Sequence, residues 1–358
     1  MGSAQPLAPQ ASSAAGSFQL EVAEVIEETA DARSLVLRVP AQLAERFAYQ
    51  AGQFLGFRVS VAGKRLLRCY SMSSAPGLDS ALRVTIKRVE GGRVSNWMND
   101  SVRPGDCLEV LPPAGHFHLG AEQRDLLLFG GGSGITPVFS ILREALASRD
   151  CRIRLVYANR DADSVIFREA LRSLLREHGE RLQVIHVLDS VQGFLAASDL
   201  RHLLRGWEDA ECFICGPGPF MDTVENGLLA AGVPSARVHV ERFVSPPDPD
   251  ELEAADEQAR LATAGLQVER LTVSLDGAEH EIACAAGETL LESCRRAGLA
   301  PPASCEEGFC GACMCRVEQG EVLLPRNDVL SAAELAEGWT LACQGRAGSR
   351  EVRVRFPD

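Results

Sequence analysis

Cys305, Cys310 and Cys313 follow a C-x4-C-x2-C spacing, and Cys343 stands alone 30 residues later within "LACQ". A segment that must turn four thiolates toward one small inorganic centre has little freedom left in how it folds, and this spacing is that of a [2Fe–2S] cluster. The residues between the ligands suit the task. Gly308 and Gly311 loosen the backbone, and amide groups in such a loop can hydrogen-bond the sulfurs. Zinc favours two close ligand pairs or histidine partners. Here the fourth cysteine is alone, and "SCEEGFCGACMCRV", residues 304–317, has no histidine in or beside it. Disulfide frameworks belong to small secreted domains, whereas seven of the twelve cysteines of this long chain crowd between Cys284 and Cys343. Cys315, two residues past a ligand on extended backbone, faces away from the centre. With Cys284 and Cys294 it reads as a packed small hydrophobe.

The loop occupies only the end of 358 residues, a length for two or three domains. Residues 1–17, "MGSAQPLAPQASSAAGS", have neither a basic start nor an apolar block. They read as a flexible tail and not as an export signal, so a cytoplasmic protein is expected. No stretch approaches the roughly 18 apolar residues of a membrane helix. Residues 18–120 carry short alternating runs ("SLVLRVP", "GQFLGFRVSV", "ALRVTIKRV") punctuated by Gly, Pro and Asp, the pattern of a small antiparallel β-barrel. Over 121–244 strands alternate with helices ("DLLLFGGGSGITPVFSILREALAS", "CFICGPGPFMDTVENGLLAAG"), which predicts a parallel α/β sheet ending on "ARVHVERF". Residues 245–266, opening "SPPDPDELEAADEQ", read as an acidic linker. Residues 267–358 form a small α+β unit: hairpin, helix, cysteine loop and late strands. The net charge of −13 argues against a nucleic-acid partner. From Ser245 onward there are 21 acidic and 10 basic residues, so −11 of that charge sits in this last third. Such a domain suits a basic partner surface.

"RCYSMSS" puts Arg68, Cys69, Tyr70 and Ser71 on a barrel strand. A guanidinium fork suits phosphate, and an aromatic face suits a flavin ring. "VTIKR", with Ile86 and Lys87, leads into "GGRVSNWM", where Gly92, Arg93, Val94 and Ser95 mark a handover from strand to helix. The N–H groups of such a turn point at an anion. "GGGSGITP" brings Gly132, Gly134, Thr136 and Pro137 to the place where a doubly wound sheet binds phosphates. It is not G-x-G-x-x-G with an acidic residue about 20 positions on, so an ordinary dinucleotide dehydrogenase is not indicated. "CGPGPFM" supplies Cys215, Gly216, Pro217, Phe220 and Met221 as a second loop, and "YANRDADSVIF" supplies Asn159 and Arg160. Arg160 could grip a 2′-phosphate, but Asp161 and Asp163 flank it and would repel that dianion while accepting ribose hydroxyls. NADH is therefore favoured over NADPH. The seven histidines form no ligand constellation.

On these motifs the chain resembles the ferredoxin–NADP reductase family from residue 18 onward. Roughly its last 90 residues, with "TLLESCRRAGL" and "LACQ", are similar to the plant-type ferredoxins. The resemblance implies three folded parts: an antiparallel β-barrel for FAD, a parallel-sheet α/β domain for NAD, and a β-grasp ferredoxin domain. It implies that Arg68 neutralises the flavin pyrophosphate, Tyr70 packs on the isoalloxazine and Ser71 hydrogen-bonds its N5 edge. The turn at 92–95 would take the diphosphate, favouring FAD over FMN, and "PPAGHF" would close the barrel. Thr136 and Cys215 would meet the nicotinamide, Phe243 would cover the flavin, and Cys305, Cys310, Cys313 and Cys343 would hold the cluster. The wording is nearest to reductase components of multicomponent oxygenases. That implies electron flow from NADH through FAD and [2Fe–2S] to a terminal oxygenase, with the reductase a monomer when free. The oxygenase would be a Rieske monooxygenase of the 3-ketosteroid 9α-hydroxylase kind, or a di-iron enzyme such as phenylacetyl-CoA epoxidase. Two other classes compete. An autonomous NAD(P)H oxidase or quinone reductase has no need of a tethered acidic ferredoxin domain, and a non-catalytic electron carrier has no need of Arg68, Tyr70, Ser71, Thr136 and Cys215 together.

Overall fold

The computed structural model describes residues 16–243, 268–303, 305–308, 311–327, 329–330 and 332–357. The chain divides into two compact units, Met1–Phe243 and Val244–Asp358. Most of the expected tail and all of the acidic linker lie outside the described residues.

The first unit begins with six strands: β1 (Phe18–Thr29), β2 (Ala32–Arg38), β3 (Phe54–Val61), β4 (Lys64–Ser71), β5 (Leu82–Lys87) and β6 (Cys107–Val110). They form one antiparallel sheet in the order β4-β3-β6-β1-β2-β5. A bridge between Met72 and Val84, with Ser73 N donating to Arg83 O at 2.7 Å, joins the first strand to the last and closes the barrel. Leu35, Leu37, Phe57, Val84 and Ile86 fill its interior. "PPAGHF" crosses the end of β3, where Phe54 and Ala114 exchange both backbone hydrogen bonds at 2.9 and 3.0 Å.

Five parallel strands follow: β7 (Leu126–Gly131), β8 (Ile153–Asn159), β9 (Leu182–Leu188), β10 (Glu211–Cys215) and β11 (Val238–Glu241), in the order β11-β10-β7-β8-β9. The neighbours β7 and β10 are buried at every residue, as strands covered on both faces must be. Between them the strand order reverses, so a ligand crevice is expected at their carboxyl ends. Barrel and sheet share one hydrophobic core: Ala32, Ala51 and Phe117 pack with Leu128, Phe139 and Ile141. Polar ties reinforce the seam. Arg143, on the helix Ile135–Ser148, grips both oxygens of Asp79, and Ser140 Oγ donates to Ser74 O at 2.5 Å.

The second unit contains β12 (Arg270–Leu275), β13 (Ala278–Ile282), β14 (Met314–Gln319), β15 (Val322–Leu323), β16 (Trp339–Leu341), β17 (Arg346–Ala347) and β18 (Glu351–Arg355). A mixed sheet runs β13-β12-β18-β14-β16, with β15 and β17 paired as a separate ribbon. The helix Leu290–Arg296 starts on a capping box: Thr289 Oγ1 accepts from Glu292 N at 3.1 Å, and Glu292 Oε2 accepts from Thr289 N at 2.8 Å. Its Leu290, Leu291 and Cys294 join Leu271, Val273 and Val354 of the sheet in one core. This is the sheet-grasping-helix arrangement predicted for the α+β domain.

Candidate functional site

β4 runs antiparallel to β3, with Tyr70 opposite Leu55 and Ser71 opposite Phe54. The Tyr70 ring meets Phe57 edge-on, centroids 5.8 Å apart, and burial lifts its phenol well above the usual range, so the ring stays neutral. Ser71 is 2% exposed, and its Oγ has no hydrogen-bond partner. A buried hydroxyl left so costs about 1–3 kcal/mol, and a flavin heteroatom would complete it. Arg68 donates from Nη1 to Leu67 O at 2.7 Å. No carboxylate pairs with it among the described residues, so the rest of the fork suits a phosphate. Cys69 lies between them, opposite Gly56.

Gly92 caps the helix Arg93–Ser101. A Cβ there would fall 2.5 Å from Ser95 Oγ and 3.0 Å from Val89 O, so glycine alone closes this turn. Ser95 Oγ is turned inward and accepts from Val89 N at 3.2 Å; its hydroxyl shapes the turn, and the backbone is the part suited to an anion. The side chains of Ile86, Val94 and Met221 lie in hydrophobic cores, so only their backbones could face a cofactor.

At the switch point two glycine loops meet backbone to backbone. A Cβ on Gly134 would stand 2.2 Å from Cys215 O and 2.5 Å from Gly216 N, and one on Gly131 would stand 2.8 Å from Pro217 Cδ and 3.0 Å from Phe220 Cδ1. This is a cradle that any side chain would fill. Gly132 is left-handed at φ 52°. Thr136, 1% exposed, donates to Ser133 O at 3.1 Å, and Pro137 occupies the tolerant first turn of its helix. Lys87 Nζ reaches over from the barrel to within 3.9 Å of the Cβ position of Gly132. Asn159, at the end of β8, is 4% exposed. Arg160 is already engaged, donating from Nε to Asp161 Oδ2 at 3.0 Å. That guanidinium, with the Ser164 N–H, holds the Asp161 carboxyl down to about 2.

Tyr157 and Glu241 were missed by sequence reasoning. Tyr157, fully buried, donates to Gly132 O at 3.2 Å and accepts from Ile166 N at 3.2 Å, riveting the nucleotide turn to β8. In the sequence it is one more large residue in an apolar strand. Glu241 ends β11 in register with Cys215, which is fully buried. Burial pushes the Glu241 carboxyl up to about 8. Burial, with the Glu241 charge second, raises the Cys215 thiol well above its usual value. A carboxylate closing the strand "VHVE" was the available signal. Phe243 is 45% exposed.

In the second unit Cys305, Cys313 and Cys343 are buried; Cys310 lies outside the described residues. Glu307 N approaches Cys305 Sγ at 3.4 Å, and Cys343 N approaches Cys313 Sγ at 3.5 Å. Among the described residues no three ligating groups converge on a single ion. A two-iron cluster asks for no such point, because its four thiolates divide between two metals. Sulfurs buried in apolar surroundings yet met by amide N–H groups fit that acceptor. Cys315 is wholly buried in the domain core with Cys294, as expected of packed thiols.

Comparison with known proteins agrees with this layout. Residues 19–119 match an oxidoreductase FAD-binding domain, 128–226 an oxidoreductase NAD-binding domain, and 273–348 a 2Fe-2S iron-sulfur cluster binding domain. The ferredoxin reductase component of 3-ketosteroid-9-alpha-monooxygenase from Rhodococcus rhodochrous is 44% identical, over 94% of this chain and 96% of its own. A component of 1,2-phenylacetyl-CoA epoxidase from Escherichia coli K12 is 34% identical, over 94% and 97%. The solved structure of phthalate dioxygenase reductase, described as modular for electron transfer from pyridine nucleotides to [2Fe–2S], superposes with a TM-score of 0.56 at 26% identity, covering 95% of this chain and 98% of its own. The protein is thus an oxidoreductase with FAD, NAD and [2Fe–2S] sites, and no described helix is long and apolar enough to cross a membrane. The chain belongs to the family of three-domain oxygenase reductases that includes the 3-ketosteroid-9α-monooxygenase reductase components.

Proposed function

We propose that this reductase draws electrons from NADH and delivers them singly to a Rieske monooxygenase that hydroxylates a steroid ring at the 9α position. The observation that carries the partner assignment is the 44% identity sustained over 94% of the chain. Bound FAD supplies the exchange between a two-electron donor and a one-electron acceptor, and the cluster supplies single-electron storage. The chain's own residues do the holding. Arg68 and the Gly92 turn bind phosphates, Tyr70 offers an aromatic face, and the Ser71 hydroxyl orients the ring edge. The apposed loops at Gly134 and Cys215 position the nicotinamide. Cys305, Cys310, Cys313 and Cys343 ligate the cluster.

The Arg160–Asp161 pair supports NADH, since a 2′-phosphate would have to displace an ionised carboxylate from the guanidinium. The domains run 18–120, 121–244 and 267–358. We take the free protein to be a monomer of the cytoplasm. A di-iron epoxidase is the second reading, supported by the 34% identity to the epoxidase component over an equal span.

An anaerobic titration with NADH and then NADPH, following flavin and iron–sulfur absorbance together, tests the relay. NADH should bleach the flavin and the cluster bands should follow. Flavin bleaching with an unmoved cluster would mean that the ferredoxin domain takes its electrons from elsewhere. Reconstitution with each oxygenase type decides the partner.

A further inference from the structure

Gln344, the residue after the fourth cluster ligand, has no role in the function derived above, yet its side chain makes several polar contacts in the cysteine region. Its Nε2 donates to Glu306 O at 3.0 Å and to Cys343 O at 3.1 Å, and points at Cys343 Sγ from 3.7 Å. Carbonyl oxygens only accept, so the amide atom they surround is the nitrogen. The other end of the contact is shaped to receive it. Glu306 adopts a left-handed backbone, φ 60°, and its carboxylate is clasped by both Nη atoms of Arg295 at 2.9 and 2.8 Å. Gly308 is also left-handed, and a Cβ there would lie 2.9 Å from Gln344 Cγ. Residues 306–308 are thus folded around one glutamine, with the left-handed Glu306 pinned from the helix Leu290–Arg296.

We propose that Gln344 is a positioning residue for the cluster, tying the loop that carries Cys305 to Cys343 and raising the cluster's reduction potential through its N–H aimed at the Cys343 sulfur. The inference rests on the ligand assignment proposed above. Reduction adds a negative charge that spreads onto the ligating sulfurs, and a donor directed at one of them favours the reduced form. Losing the glutamine amide would remove the donor that Glu306 O has here, so the same residue acts on both loop and sulfur.

The test is the midpoint potential of the cluster in the full chain, by EPR-monitored redox titration of Gln344→Leu and Gln344→Met beside the parent. Both should assemble a cluster and titrate at a more negative potential, by an amount that moves the flavin–cluster electron equilibrium threefold or more toward the flavin; tenfold corresponds to about 59 mV for one electron. Gln344→Met keeps the length, stays neutral and removes the donor, so it serves if the leucine variant fails to hold iron. A normal EPR signal at the parent's potential in whichever variant assembles would overturn the proposal and leave the ligand assignment intact. A parent protein with no [2Fe–2S] signal after reconstitution would instead bring down the ligand assignment.

Discussion

Gly134→Ala should uncouple the nicotinamide from the flavin without unfolding either half. The added methyl would stand 2.2 Å from Cys215 O, 2.3 Å from Cys215 C and 2.5 Å from Gly216 N, all backbone atoms that no rotamer change can move. Ordinary contact for such a pair is close to 3.4 Å, so the two loops must part by roughly 1 Å in an interior packed to crystal density. Overpacking of this kind costs about 1–3 kcal/mol, and in a unit of this size that lowers the melting temperature by about 2–12 °C. A 1 Å misplacement of reacting groups can cost on the order of 100-fold in rate. Stopped-flow reduction of the bound flavin by NADH should therefore slow by about 10- to 100-fold. Flavin content and the EPR signal of the chemically reduced cluster should stay as in the parent. Parental flavin reduction together with an unchanged melting temperature would refute the idea that these loops close on one another.

Arg68→Ala should lose FAD on gel filtration, with affinity down about tenfold or more for a charge-assisted phosphate contact; full retention of flavin would remove Arg68 from the site. Cys313→Ser should abolish the cluster's visible absorbance and spare NADH-to-ferricyanide activity, and losing both would contradict the modular reading. Glu241 binds, in the folded unit, a proton that the unfolded chain has already released between pH 4.5 and about 8. Stability should then fall as pH rises through that window and level off above it, by up to a few kcal/mol. Glu241→Gln should flatten the slope in urea unfolding series, and an unaltered slope would show the carboxyl to be ionised. Electron delivery to the native oxygenase should slow as salt rises, given −11 of net charge beyond Ser245; a flat salt dependence would dispose of electrostatic docking.

Much of this architecture could be read from residues, and the reasons differ from part to part. The alternation in "SLVLRVP" and the all-apolar "LLLF" follow from how many faces of a strand are covered, a local property that survives in one dimension. The glycines at 92 and 134 were legible because only glycine tolerates such close approach, and Gly132 because its backbone is left-handed, although the counterparts of Gly134, Cys215 O and Gly216 N, belong to a loop some 80 residues away. Tyr157 and Gln344 escaped because their roles are set by partners distant in sequence, Gly132 O and Glu306 O, and neither residue type is unusual where it stands. Ser95 shows the opposite limit: it stands at the expected turn, yet the structure points its hydroxyl inward.

The shared packing of Ala32, Ala51 and Phe117 with the core of the parallel sheet has a practical meaning for anyone who wishes to rebuild this enzyme. A swap cut between barrel and sheet would strip a buried apolar seam and sever the Arg143–Asp79 clasp, leaving two fragments prone to aggregate. The natural exchangeable cassettes are the unit up to Phe243, with its flavin and nucleotide halves taken together, and the ferredoxin unit from Val244 onward. Chimeras that redirect NADH-derived electrons to a new oxygenase should therefore change only the latter.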